Sequence, residues 1–395
     1  LAAKARGAST IRGLSNGEDV AHTLEAVSAF GAEVRPEGDT AVRVQGGALH
    51  EPTHPIDVGN SGTGIRLLAG WAAGIDGLTI LAGDESIARR PMDRVVEPLR
   101  LMGAVVEGRE GGRFPPLVVR GGSLRGIEYR LPVPSAQVKG AVLLAGVDAD
   151  GETTVVEDVS TRAHTEELLA LCGANISVRP GSVTVRRSAL SPLDIDVPGD
   201  PSHAAFWVVA ACITPGSELT VENVYTGVGR AGFVDVLLRM GADLQLVDAD
   251  PKTSTATIRA RYSLLKATTV HGNEVPSLID EIPALAVAAA YAEGETVFAD
   301  AAELKVKESD RIATTVAALS SIGATAEARH DGLVVVGSAG EPLAGGAVDA
   351  HSDHRIAMSL AVAAAAAGGP VVVEGWESVA TSYPGFAEEY QRCAS

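Results

Sequence analysis

The sequence predicts an α/β fold of two similar domains, each made of three copies of one repeat with buried helices inside it, and three observations point there. The chain has 395 residues, more than one compact core usually holds, and 46% of them are hydrophobic against 21% charged, so two real cores can form. An apolar residue followed by Gly-Ala and a short strand recurs at FGAEV (30–34), MGAVV (102–106), CGANI (172–176), MGADL (240–244) and IGATA (322–326). A glycine leading a β-rich run recurs in phase with it, at Gly7, Gly77, Gly151, Gly216, Gly294 and Gly369. Two independent landmarks that keep one period of roughly seventy residues mark a repeat architecture.

The elements of a repeat follow in order. A helix apolar on all sides comes first, as at Ala141–Gly146, Ala204–Ile213, Ala284–Ala292 and Ile356–Ala367, and such a helix belongs inside a domain. The glycine-led strand is next, then an amphipathic helix that ends at Gly-Ala, where a left-handed cap is wanted. Two further strands complete the repeat, the last alternating in character at Val42–Val44, Leu117–Arg120, Val183–Arg186, Ala256–Arg259 and Leu333–Val336. Three repeats per domain place the boundary in the turn-rich VPGDPS segment, giving domains 1–198 and 199–395. By the same period Gly7 should follow a helix of about a dozen residues, of which Leu1–Arg6 are present. The first repeat is therefore expected to be truncated, with the sequence beginning inside a helix.

Thirty-two lysines and arginines against 50 acids give a net charge of −18, which argues against nucleic acid or an anionic membrane as partner. An anionic substrate would need a local basic island. Cys172, Cys212 and Cys393 are far apart, so no zinc site or disulfide framework is expected and a reducing cytoplasm fits. The most apolar stretch, Ile356–Gly369, is too short to span a bilayer, and no signal peptide opens the chain. GVGRAG at 227–232 matches a dinucleotide fingerprint, but its place in the repeat equates it with ARRPMD, STRAHT and KESDRI, which lack those glycines. No organic cofactor or metal is expected.

The loops entering the amphipathic helices carry Arg90, Arg162, Arg230 and Arg311 at nearly constant spacing before the Gly-Ala landmark. Equivalent loops fall on equivalent faces, so these arginines are candidates for a shared anion site. The buried helices begin with GNSGTGIR (59–66), PSAQVK (134–139), GDPSH (199–203), DEIP (280–283) and HSDHR (351–355), and helix starts offer free N–H groups to anions. His354 and Arg355 are cations where the dipole disfavours them, which calls for a negative group opposite, either a ligand or surface carboxylates. KVKESDR at 305–311 reads either as a solvated helix start or as a catalytic cluster. Asp280 and Glu281 stand at the mouth of an apolar helix, as N-caps or as a base.

Taken together, GNSGTGIRL (59–67), RRPMDRV (89–95), PSAQVKGAVLLAG (134–146), DEIPALAVAAA (280–290), KVKESDR and DHRIAMS (353–359) resemble the 5-enolpyruvylshikimate-3-phosphate synthases over nearly the whole chain. The resemblance implies the enolpyruvyl transferase fold: two domains, each of three βαβαββ units, with helix starts lining a cleft. It implies transfer of the enolpyruvyl group of phosphoenolpyruvate to the 5-hydroxyl of shikimate 3-phosphate, without cofactor or metal, by a chain that acts as a monomer on small molecules.

By the same resemblance Ser135, Ala136, Gln137, Arg162, Asp280 and Lys307 bind shikimate 3-phosphate. Gly62, Thr63, Arg90, Gln137, Arg311, His354 and Arg355 bind phosphoenolpyruvate. Asp280, Glu308 and Lys307 are the catalytic set, Asp280 deprotonating the hydroxyl and Glu308 moving the proton at the methylene carbon. Arg90, Lys139, Arg162, Lys307, Arg311 and Arg355 would form the basic island.

The sequence departs from many members by lacking an amino-terminal Lys-Ser pair and arginine, by Thr381–Ser382 where a lysine is frequent, and by Ala136 for a second serine. The last two resemble the subgroup tolerant of the herbicide glyphosate, whereas Gly62 keeps the small residue of sensitive members. Two rival readings stand beside the first: a shell that binds shikimate 3-phosphate without turnover, and a sister enzyme acting on UDP-N-acetylglucosamine, whose catalytic cysteine has no counterpart around 78–92.

Overall fold

The computed structural model describes residues 1–393, which fall into two compact halves divided between Val197 and Pro198. Each half is described in its own right. Among the described residues there are six small sheets, three in each half.

The second repeat shows the full pattern. Ile56–Asp57 runs parallel to the glycine-led strand Gly77–Ala82, which pairs antiparallel with Phe114–Gly121, itself antiparallel to Val105–Gly108. The third repeat keeps this order with Glu128–Arg130, Glu152–Val156, Ser182–Arg186 and Ile176–Arg179. The fifth keeps it with Thr269–Val270, Glu295–Phe298, Gly332–Val336 and Thr325–Arg329. In the first sheet the entering place is filled late, by Asp194–Asp196 running parallel to Gly7–Arg12, and Arg12 ties it down with ion pairs of 2.6 Å to both aspartates.

The reading of a repeat from its residues omits this entering strand. The omission has a physical cause: two or three residues give no period to detect, and the pairing comes from the neighbouring strand rather than from local preference. Leu1–Arg6 is likewise a single turn, the amides of Lys4 and Ala5 both donating to the Leu1 carbonyl oxygen, rather than a helix. The landmarks otherwise hold. The five Gly-Ala glycines end their helices at φ of +101°, +107°, +74°, +89° and +93°, a region a side chain rarely adopts.

Helices apolar on all sides form the centre of each half. In the first half Gly62–Ala73 packs on Ala136–Gly146 so closely that a Cβ on Gly70 would lie 2.1 Å from the Ala141 carbonyl oxygen. The run of Gly and Ala is the sequence's way of letting two backbones touch. In the second half Pro201–Ile213, Ile282–Tyr291 and His354–Ala364 pack on one another, the last ending three residues before the predicted Ala367. Among the described residues no helix is long and apolar enough to cross a membrane.

Candidate active site

In the first half the predicted residues gather at the starts of the two buried helices. Ser61 and Ser135 occupy the N-cap positions, their hydroxyls accepting from the amides of Gly64 at 3.0 Å and Val138 at 3.3 Å. Ser135 thus has a local duty besides any ligand role. Gln137, the second residue of its helix, bridges to the other: its amide nitrogen donates to Thr63 Oγ1 at 2.8 Å and its oxygen accepts from Arg66 at 2.9 Å. Arg66 also donates to the carbonyl oxygens of Gly62 and Pro91, which joins the helix start to the loop that carries Arg90.

Arg90 is buried and its guanidinium lies against the Cα of Gly62, where a Cβ would come within 2.4 Å of it. Glycine at position 62 is therefore a spatial requirement of Arg90. Arg162 and Ala136 are half-buried at the mouths of their helices.

Lys139 overturns one expectation. It is 1% exposed and pairs with Glu157 at 3.1 Å and Glu166 at 2.7 Å, so it is neutralised inside the domain and does not belong to a basic island. The helix Ala136–Gly146 is buried all round, and Lys139 sits on the face that meets the His164–Leu171 helix rather than on the open end. Burial pushes the Glu166 carboxyl up from its ordinary range, Lys139 opposing. Glu157 in turn accepts from the amide and hydroxyl of Thr161, the residue before Arg162.

In the second half a single guanidinium organises the site. Arg311, 1% exposed, donates to Asp353 at 2.8 Å, to Glu308 at 2.5 Å and to Asp280 at 3.2 Å. Lys307 donates to the same Asp280 oxygen, Oδ1, at 3.0 Å. The two carboxylates named as acid and base are thus pinned by one side chain, with 11% and 15% of their surfaces left open. Asp353 is fully buried and caps the His354 helix, accepting from the Arg355 amide at 3.0 Å and from Ser309 Oγ at 2.9 Å. Burial alone would raise its pKa, but Arg311 outweighs it and holds the carboxyl below its usual range, while the carboxylates keep Arg311 firmly charged.

Two further expectations are corrected here. His354 is not a cation at neutral pH, because burial, aided by the charge of Arg355, brings its pKa down to about 4. The negative group opposite Arg355 is a buried protein carboxylate, Glu281 at 4.0 Å, not a surface one. Nor does the Ile282 helix use its acids as caps: Glu281 at the N-cap position makes no side-chain cap bond, and Asp280 is engaged by Lys307 and Arg311.

The recurrent arginines of the second half share a geometry, Arg230 bonding Asp200 and Ser202 at the start of the Pro201 helix much as Arg311 bonds Asp353. GVGRAG is the loop that delivers Arg230. Sequence reasoning missed Arg66 and Asp353. Each had a signal: Arg66 lies one turn after Gly62 on the same helix face, and Asp353 is the capping residue ahead of a helix. Among the described residues no group of three or more His, Cys, Asp or Glu is arranged to hold a metal.

The family model described as EPSP synthase (3-phosphoshikimate 1-carboxyvinyltransferase) matches residues 1–390. A relative from Anaeromyxobacter sp. (strain K), named 3-phosphoshikimate 1-carboxyvinyltransferase, is 48% identical over 388 residues, 96% of this chain and 87% of its own length. One of the same name from Pelotomaculum thermopropionicum is 47% identical over 394 residues, covering 98% of this chain and 91% of its own. A solved structure of EPSP synthase from Acinetobacter baumannii aligns over 99% of this chain and 91% of its own, with a TM-score of 0.86 at 38% identity. The enolpyruvyl transferase NikO from Streptomyces tendae aligns over 99% of this chain and 90% of its own with a TM-score of 0.78 at 18% identity, a likeness of fold alone. On this sequence identity and shared architecture, the chain belongs to the EPSP synthase family, with the enolpyruvyl transferase fold.

Proposed function

We propose that the chain transfers the enolpyruvyl group of phosphoenolpyruvate to the 5-hydroxyl of shikimate 3-phosphate and releases phosphate. The observation that carries this reading is Arg311, which holds two partly open carboxylates, Asp280 and Glu308, in fixed places. The reaction needs two separate proton transfers. Asp280 takes the proton of the attacking hydroxyl as its oxygen bonds to C2 of phosphoenolpyruvate, and Glu308 delivers a proton to C3, giving a tetrahedral ketal. Glu308 then removes a proton from the new methyl group as the C2–O bond to phosphate breaks. Lys307, bonded to Asp280, balances its charge. No step calls for a metal or an organic cofactor.

Ser135, Ala136, Gln137 and Arg162 are assigned to shikimate 3-phosphate, together with Asp280 and Lys307. Gly62, Thr63, Arg90, Gln137, Arg311, His354 and Arg355 are assigned to phosphoenolpyruvate, His354 as a neutral imidazole. The setting is the cytoplasm, with small molecules as the partners of a monomer. The test is phosphate release from the two substrates. Glu308→Gln should keep affinity for both and lower kcat at least about a hundredfold, the order expected for a lost general acid-base. Unchanged turnover in that variant would remove Glu308 from its role, and background release by the unaltered chain would end the assignment.

A further inference from the structure

Each buried helix of the second half is preceded by an acid at its N-cap position: Asp200, Glu281 and Asp353. Two of them do what the position favours. Asp200 accepts from the Ser202 amide at 2.8 Å and Asp353 from the Arg355 amide at 3.0 Å. Glu281 does not. Its carboxylate is 1% exposed and turns away from its own helix toward the other two. One oxygen accepts from Ser202 Oγ and stands 3.9 Å from Arg230 and 4.0 Å from Arg355, while the other has no hydrogen-bond partner.

A glutamate here forgoes a capping bond and buries an incompletely bonded carboxylate, and both are unfavourable. What offsets them is charge, because two guanidiniums face it. The Arg355 guanidinium donates to the carbonyl oxygen of Asp280 at 3.2 Å, so neighbouring residues 280 and 281 present a carbonyl and a carboxylate to the same arginine. At 4.0 Å the carboxylate attracts Arg355 without taking a short bond from it. That leaves N–H donors for an anion while the cation stays in place.

We propose that Glu281 is a positioning residue for Arg355, holding its guanidinium ready for the anionic group of phosphoenolpyruvate. The proposal rests on the reading of the reaction given above. The first variant is Glu281→Gln in the full chain, which keeps the shape and the Ser202 contact and removes the charge. The KM for phosphoenolpyruvate should rise at least about tenfold, with kcat within about threefold and the KM for shikimate 3-phosphate within about twofold. In an Arg355→Lys background, where the partner is already displaced, the same substitution should add less than about twofold.

Ser202→Ala keeps every charge but loosens Glu281, and should move the same KM in the same direction by a smaller factor. It serves as well should Glu281→Gln fail to fold. If the KM for phosphoenolpyruvate stays put in the folded variants, or the effects of positions 281 and 355 multiply independently, the proposal is overturned. Calorimetric titration of phosphoenolpyruvate alone separates this from the reaction itself. A chain that binds it but releases no phosphate defeats the reaction assignment, while an equal Kd in Glu281→Gln defeats the role of Glu281.

Discussion

The buried helices of the two halves begin with different chemistry. In the first half the caps are the hydroxyls of Ser61 and Ser135. In the second half they are the carboxylates of Asp200 and Asp353, with Glu281 in the third position. A hydroxyl satisfies the leading amides without adding charge, so the partial positive charge of a helix start, about half an elementary charge, remains for an incoming anion. A carboxylate cancels that charge and draws in a guanidinium, as Asp200 does with Arg230 and Asp353 with Arg311. Hydroxyl caps suit a surface that receives phosphate. Carboxylate caps suit one that holds arginines in fixed places.

The most demanding test asks whether the buried cation of the first half is structural. Lys139 sits between Glu157 and Glu166 with 1% exposure, as Arg311 sits among three acids, and both its acids are buried, at 8% and 4% exposure. Lys139→Met should therefore strand two carboxylates and lower stability by about 3–5 kcal/mol, read from urea unfolding midpoints. A loss below about 1 kcal/mol would mean that the glutamates discharge easily without the lysine. Lys139 would then not be the structural counterpart of Arg311.

The next effect belongs to the second half. His354 has a folded pKa of about 4 against an ordinary value near 6.5. Between those values the unfolded chain binds the extra proton, so stability is complete above about pH 6.5 and declines as pH falls toward 4. The helix that follows Ser61 itself carries no histidine. His354→Gln should remove this part of the acid sensitivity, so that the gap between the two stability curves changes by on the order of 2–3 kcal/mol between pH 7 and pH 4. Parallel curves from chemical denaturation at each pH would show that His354 is not held neutral by burial.

What the sequence discloses is what is written locally. Gly31, Gly103, Gly173, Gly241 and Gly323 each need a left-handed backbone at a helix end, and a helix that is apolar all round can only be central. The short strands Ile56–Asp57 and Glu128–Arg130 exist because a neighbouring strand pairs with them, so they leave no pattern. The same limit applies to side-chain direction. Lys139 lies on a helix buried on every side, where no polar face reveals which way a charged residue points, and the two glutamates that decide it are 18 and 27 positions further along. His354 looked cationic because depth of burial, which sets its charge, is a tertiary property. Asp280, Glu308 and Arg311 were legible as candidates from their motifs, but their convergence on one guanidinium was not.

The gentlest test converts one cap chemistry into the other. Ser61→Asp keeps a good N-cap, so stability should hold within about 0.5 kcal/mol, yet it places a carboxylate at the start of the Gly62 helix, next to the buried Arg90. The first half would then resemble the second, with an internal acid competing for the arginine and the helix start. The KM for phosphoenolpyruvate should rise about tenfold, equivalent to ~1.4 kcal/mol. Ser61→Asn caps equally well without charge and should leave that KM within about twofold. If aspartate and asparagine behave alike, charge at the cap is not what distinguishes the two halves. If only aspartate weakens binding, the neutral serine is there to keep the helix start open to an anion.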